Sequence, residues 1–377
     1  MNEKTKNAVY DLLYLLSCAV NGEAPDKARC EKMDLSEVYS LSQYHMLTSA
    51  AAFALEKSIE LPREFDQAKK KAIRKLALFE IERAKILAAF EKNGIWYLPL
   101  KGILLAKTYP KAAMREMCDN DILCDSGKMQ DVRDIMESMG FTCDLFGQFN
   151  HDVYSKPPSI EFEIHHNLFD SDMPRFVDYY TDVISRLKKD GNSSFGYRFS
   201  DEDFYIFMLC HMYKHYINAG TGLRSLLDLY VFNRSHRAKL DLEYVAQELK
   251  TLGIEEYERS VRNLADKAFG QEGSDVSESE ELEYFVFSGY CGTEGNANYN
   301  YLNKQLGGDD SGSSKRKYLL RRIFISGDDL RKSYPFFYRH KALYPLLLIY
   351  RPIKGAVTHP KGIAAECKRL KGFKVKE

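Results

Sequence analysis

Between Ser159 and Asn167 the chain alternates, with Ile160, Phe162 and Ile164 separated by Glu161, Glu163 and His165. Side chains two apart on a strand point the same way, so this segment carries one apolar face and one acidic, imidazole-bearing face. Such a strand lies against a core on one side only, and its surroundings have to supply that core. Those surroundings are helical. The first 94 residues are rich in Ala, Leu, Lys and Glu, with Leu76, Phe79, Ile86 and Phe90 at three-, seven- and four-residue steps. Asn93-Gly94 is a helix stop, Gly being able to adopt a positive φ. Helix returns at Ser200, where Ser200-Asp-Glu-Asp203 has the capping-box pattern ahead of the apolar run Phe204 to Cys210. Gly222 to Phe232 predicts another. The fold class expected is α+β: a small mixed-sheet core flanked by N-terminal and C-terminal helical regions.

Within that core the elements are short. Ile95 to Leu100 suits a strand, and Pro99, which cannot donate to a ladder, marks an edge or a strand end. A helix is expected to begin after Gly102 and to end by Pro110. Asp121 to Cys124 is the next strand, and Asp125-Ser126 offers an N-cap for a helix running to Met139 and closed by Gly140. Phe141 to Leu145 and His151 to Ser155 are further strands. The divisions expected are a helical region over 1–94, an α/β core over 95–199 and a helical domain over 200–270. An acidic, then Gly/Asn/Ser-rich stretch follows over 271–317, read from Gly292 onward as a long mobile loop, and a basic segment occupies 318–377.

Composition narrows the function. With 45% hydrophobic and 29% charged residues, the 377-residue chain is too apolar for a disordered protein. Fifty-four basic and 54 acidic residues cancel, so nucleic acid is not the favoured partner. The balance hides an asymmetry: Lys315 to Glu377 holds 17 Lys and Arg against four acids. That surplus would draw a polyanion or the acidic remainder of the chain. The apolar run Leu343 to Tyr350 is broken by Pro345 and falls short of the ~20 residues of a membrane span. The N-terminal MNEKTKNAVYDLLYLL has an acid inside its apolar stretch and no small-residue cleavage site, unlike a signal peptide. Eight scattered cysteines without a CxxC pair indicate reduced thiols rather than a disulfide frame or a zinc site, and a cytoplasmic protein is expected.

The chemistry concentrates at Lys101-Gly102, Arg115, Asp119-Asn-Asp121 and Glu161 to His165. Two acids two apart on a strand present carboxylates about 6–7 Å apart on one face. Paired Mg²⁺ ions about 3.5–4 Å apart need such bridging oxygens, with positions left open for phosphate and water. A third carboxylate from a neighbouring strand completes the cluster; Glu163 is placed to supply it, and Glu161 is its rival. Alone, Asp119-Asn-Asp121 is equally a surface turn. What favours a site is the order: a Gly after one apolar run, an acid pair at the head of another, then an acid inside an alternating strand.

Taken together, Leu100-Lys-Gly102, Tyr109-Pro110, Arg115-x-Met117-x-Asp119-x-Asp121-Ile-Leu123 and Glu163-Ile-His165 resemble the motifs of the uncharacterised nucleotidyltransferase family, within the polymerase-β-like superfamily. The resemblance is strongest over 80–170 and continues more weakly over 200–232 through His211, Arg224 and Asp228. Three departures stand out: a single Gly followed by Ile103, Asn120 between the acids where an apolar residue is usual, and Glu163 where Asp is commoner. The resemblance implies a transferase that moves a nucleoside monophosphate from a nucleoside triphosphate such as ATP to a hydroxyl or similar group of an unknown acceptor, releasing pyrophosphate. It implies Mg²⁺ (or Mn²⁺), with Asp119 and Asp121 on the nucleotide's metal and both acids with Glu163 on the metal that activates the acceptor. Lys101, Gly102, Arg115 and His165 would contact the nucleotide.

Two other readings remain open here. One is a non-catalytic nucleotide-binding or scaffold relative. The other is a DxD glycosyltransferase, for which Ile95 to Leu100 provides too little sheet ahead of the motif. His211 and His215, four apart on a helix without HExxH, read as hydrogen-bonded core residues. Arg224 and Asp228, also four apart, read as an intrahelical ion pair, with Lys214 or Arg224 as a second route to the nucleotide.

Overall fold

A computed structural model describes residues 1–191, 193–270, 279–306, 311–324, 330, 334–358 and 368–374. The chain forms two compact units, one of Met1–Tyr216 with Gly220–Cys291 and one of Ile217–Ala219 with Gly292–Glu377. The first opens with five helices: α1 (Glu3–Asn21), α2 (Lys27–Cys30), α3 (Leu35–Tyr44), α4 (Thr48–Leu55) and α5 (Arg63–Lys92). The Asn2 side chain caps α1 by accepting from the Thr5 N–H at 2.8 Å, and Gly22 ends the helix at φ 81°. α4 is rich in alanine and nearly all buried, so it fits closely between α1 and α5. α5 stops at Asn93, with Gly94 at φ 65°.

The sheet has strand order β1-β2-β5-β4-β3, formed by β1 (Tyr97–Pro99), β2 (Asn120–Cys124), β3 (Thr142–Leu145), β4 (His151–Lys156) and β5 (Ile160–His165). Only β2 and β5 run parallel; the other neighbours are antiparallel, so the sheet is mixed. β1 is an edge strand, as Pro99 requires. Between β1 and β2 lies a short helix, α6 (Lys101–Ala106), and between β2 and β3 lies α7 (Met129–Ser138). α6 begins at Lys101 rather than after Gly102, because the chain leaves β1 directly into a helical turn. Ile122, Cys124, Ile160, Phe162 and Ile164 point from the sheet into a core with Phe79, Ile86 and Phe90 of α5 and Val132 and Met136 of α7. Phe162 sits at its centre, edge-on to Phe79 and Phe141 at centroid distances of 6.1 and 5.6 Å. Burying one face this way leaves Asp121 and Glu163 on the other.

Residues of α9 (Asp201–Ile217) and α10 (Leu223–His236) stand across a cavity from that second face; α8 (Pro174–Tyr179), α11 (Leu242–Leu252), α12 (Glu255–Phe269) and α13 (Glu280–Ser288) complete the helical part of this unit, α12 packing on α10, α11 and α1. Ser200 caps α9 as its spacing requires, its hydroxyl accepting from the Asp203 N–H at 3.1 Å; the Asp203 carboxylate answers by accepting from that hydroxyl at 2.8 Å rather than from the Ser200 backbone N–H of a full capping box.

The second unit contains α14 (Glu294–Leu306) and α15 (Gly312–Ile323), where a long loop over 292–317 was expected. Leu302 and Leu306, one helical turn apart, are buried with Tyr318, Leu370 and Phe373, and this burial outweighs the weak helix preference of the surrounding Asn and Gly. Of the acidic stretch, 271–278 lies outside the described residues, as do 325–329, 331–333, 359–367 and 375–377 of the basic segment. Among the described residues no helix is long and apolar enough to cross a membrane, and every cysteine is free.

Candidate active site

The parallel register sets Asp121 of β2 directly opposite Glu163 of β5. Asp119 lies just before β2, two residues from Asp121. Lys101, Gly102, Arg115, Asp119, Asp121, Glu161 and Glu163 all line one cavity of about 400 Å³, closed on its far side by residues of α9 and α10 with Tyr290. Six of the seven site residues expected from sequence, Arg115 among them, therefore share a single space with the rival acid Glu161. His165 stands behind Asp121 and does not line the cavity; its Nε2 lies 3.2 Å from Asp121 Oδ1 and 3.5 Å from Glu163 Oε2.

Three carboxylates in a half-buried space repel one another. Burial, with the Asp121 and Glu163 charges beside it, raises the Asp119 carboxyl to about 6. Asp121 moves the other way: burial pushes it up, but the Lys101 ammonium and His165 prevail and hold it below the ordinary carboxylate range. Lys101 Nζ is 3.8 Å from Asp121 Oδ2. Burial alone would lower His165, and its hydrogen bonds to Asp121 and Glu163 raise it. Lys101, Arg115 and Arg224 do not balance the five acids of the lining, Asp119, Asp121, Glu161, Glu163 and Asp228, so the cavity holds an excess of negative charge that a divalent cation would neutralise.

Gly102 is needed for packing. A Cβ there would come within 2.8 Å of Met117 Cε and 3.1 Å of Arg115 Nη1. Arg115 is itself engaged: its Nε donates to Asp228 Oδ1 at 2.8 Å and its Nη2 to Oδ2 at 2.9 Å, while the Tyr109 hydroxyl donates to the same Oδ1 at 2.7 Å. This corrects the intrahelical Arg224–Asp228 pair expected from sequence. Asp228 is turned to a guanidinium 113 residues away, and Arg224 Nη1 donates to the Glu116 carbonyl at 3.3 Å with its head over the Tyr290 ring. Arg224 lines the cavity; Lys214 pairs with Asp170 at 3.2 Å instead.

His211 and His215 also face the cavity, joined Nε2 to Nε2 at 3.0 Å, with Lys101 Nζ at 2.5 Å from His211. Burial and the Lys101 charge depress both, His215 to about 3, so both imidazoles are neutral and Lys101 donates to His211.

Sequence reasoning missed His151, taken only as the start of a strand. β4 and β5 pair with His151 opposite His165, and His151 Nε2 lies 3.7 Å from Glu163 Oε2. Together His151, Glu163 and His165 form a group with metal-holding geometry. The signal was present in the two strands as drawn: folding 151–155 back on 159–167 about Pro157-Pro158 brings the two histidines together. Tyr290, Thr221 and Ser225 of the wall carried no motif.

Compared with known proteins, residues 31–270 match the model of a family described as uncharacterised nucleotidyltransferase, well over half of the chain. No curated protein and no solved structure matches it.

Proposed function

The chain belongs to the uncharacterised nucleotidyltransferase family and is thus a transferase of phosphorus-containing groups; on that premise we propose that it moves a nucleoside monophosphate from a nucleoside triphosphate to a hydroxyl or similar group of its acceptor, releasing pyrophosphate. The observation that carries the reading is the convergence of Asp119, Asp121 and Glu163 on one cavity beside Lys101. The donor set suits hard divalent cations, Mg²⁺ or Mn²⁺. Asp119 and Asp121 would hold the ion on the nucleotide's phosphates, and both with Glu163 the ion at the acceptor. When bound, these ions supply charge neutralisation at the phosphates and at the attacking oxygen.

The residues divide the remaining work. Lys101, extended over Asp121, lies where a phosphate oxygen would take its proton-bearing head from the carboxylate. Arg224 offers the second cationic group of the cavity wall, and Gly102 keeps the floor open between Lys101 and Arg115. Glu163 accepts the proton of the acceptor hydroxyl as that oxygen bonds to the α-phosphorus and the bond to pyrophosphate breaks. Arg115 and His165 position rather than touch: Arg115 fixes the cavity wall through Asp228, and His165 orients the Asp121 carboxylate.

Calorimetric titration with a panel of nucleoside triphosphates tests the metal assignment. Mg²⁺ is expected to raise affinity, and Asp121→Asn to abolish that gain; equal affinity of the variant with and without Mg²⁺ is the expected result, and an unchanged gain overturns it. Transfer of α-labelled nucleotide into an acceptor tests the reaction itself.

A further inference from the structure

We propose that His151, His165 and Glu163 form a nitrogen-bearing cation position that selects a first-row transition ion over Mg²⁺, with Asp121 as the oxygen it shares with the nucleotide side. The position goes beyond the transferase reading and does not depend on it.

Geometry carries the argument. β4 and β5 set the two imidazoles side by side across the ladder, with ring centroids 5.0 Å apart and the planes tilted by 38°. One donor atom from each of His151, Glu163 and His165 lies within 4.8 Å of the others. The individual gaps are 3.7 Å for His151 Nε2 to Glu163 Oε2, 3.5 Å for His165 Nε2 to the same oxygen, and 3.2 Å for His165 Nε2 to Asp121 Oδ1. Bonds of ~2.0–2.1 Å to a tetrahedral ion separate neighbouring donors by about 3.4 Å, so the gaps from Glu163 to the two imidazoles, and from His165 to Asp121, already stand close to the spacing a bound ion requires.

The supporting residues set the tautomer. His151 Nδ1 is 3.0 Å from Asn150 Oδ1, which can only accept, so Nδ1 carries the proton and the Nε2 lone pair faces Glu163. Asn150 is buried and is oriented in turn, its side-chain NH₂ donating to the Asn167 carbonyl at 3.0 Å and its backbone N–H to Asp170 Oδ1 at 3.1 Å. In the structure as it stands His165 Nε2 donates to Asp121, and a cation would replace that proton. His151 and Glu163 stay partly exposed, at 23% and 25% of their side chains, which leaves a side open for water or acceptor. Two imidazoles and two carboxylates suit Mn²⁺, Co²⁺ or Zn²⁺; Mg²⁺ prefers oxygen alone and gives up its water reluctantly.

The experiment uses the full chain without nucleotide. Titration with Co²⁺ is expected to give visible d–d bands at one ion per chain, displaced by stoichiometric Zn²⁺ but not by a large excess of Mg²⁺. His151→Ala should abolish the bands, whereas Asp119→Asn should retain them. Bands that persist in His151→Ala, or Mg²⁺ displacing Co²⁺ as readily as Zn²⁺ does, overturn the proposal. A measurement on the unaltered protein stands beside the variants: pulsed EPR of the Mn²⁺-loaded chain should show imidazole nitrogen coupling, and its absence is equally decisive against. No nucleotide enters these assays, so a failure of the transferase reading leaves their outcome standing.

Discussion

A guanidinium that is 8% exposed persists in the wall of this cavity because a single carboxylate, Asp228, takes two of its donors. The pair costs desolvation on both sides, and its worth appears when one partner is removed. Asp228→Ala strands the Arg115 charge and the Tyr109 hydroxyl in a buried place and is expected to lower stability by about 3–5 kcal/mol, read from urea unfolding. The pairing was not legible from sequence for a physical reason. Arg224 and Asp228 satisfy the local i, i+4 rule, and nothing local shows that Asp228 turns toward a residue 113 positions earlier. The acids were legible, because Asp119 and Asp121 sit two apart at a strand head and Glu163 alternates with core residues. His165 was legible in sequence but not in role: its position behind Asp121 depends on a diagonal across the parallel ladder that spacing cannot reveal.

At the scale of elements, the signals that held were those with strong local chemistry. The Ser200 cap is one. Ser200→Ala removes the acceptor of the Asp203 N–H and should cost about 1 kcal/mol in thermal or urea unfolding, with nucleotide affinity unaffected once the chain is folded. β5 is another, since its alternation specifies which face meets the core. Phe162 has no exposure, and Phe162→Ala is expected to cost about 3–5 kcal/mol by the same measurement. What failed was composition used in place of pattern. Asn and Gly around 292–306 suggested a loop, yet the Leu302 and Leu306 pair is a helical signal within it, and burial decided the outcome. The start of α6 was misjudged because Gly102 was taken as the entrance to the helix, whereas it lies in the first turn, packed on Met117 and Arg115.

Across the first unit as a whole, His45 ties distant parts of the chain together. It ends α3, has no exposure, and accepts at Nδ1 from the Leu223 N–H at the start of α10, at 3.2 Å. A Cβ on Gly222 would lie 2.6 Å from this nitrogen and 2.6 Å from the Gly289 backbone, so three segments meet with no spare room. Burial lowers the His45 imidazole from 6.5 to about 4. Between those values the unfolded chain binds the proton and the folded one does not, so stability rises with pH. The contribution is complete above about 6.5 and is lost as pH falls toward 4, amounting to about 3 kcal/mol. Urea unfolding at pH 7 and pH 4.5 should show a smaller acid loss in His45→Asn than in the native sequence. The order of the strands carries one more consequence. β5 is the last of the five to be translated and the middle one in the sheet. A growing chain on the ribosome therefore has β1, β2 and the β3–β4 pair available with the keystone still missing; Asp121 and Glu163 are set side by side only once residues 160 to 165 emerge and pair between them, and α9 and α10, later still, close the pocket over them.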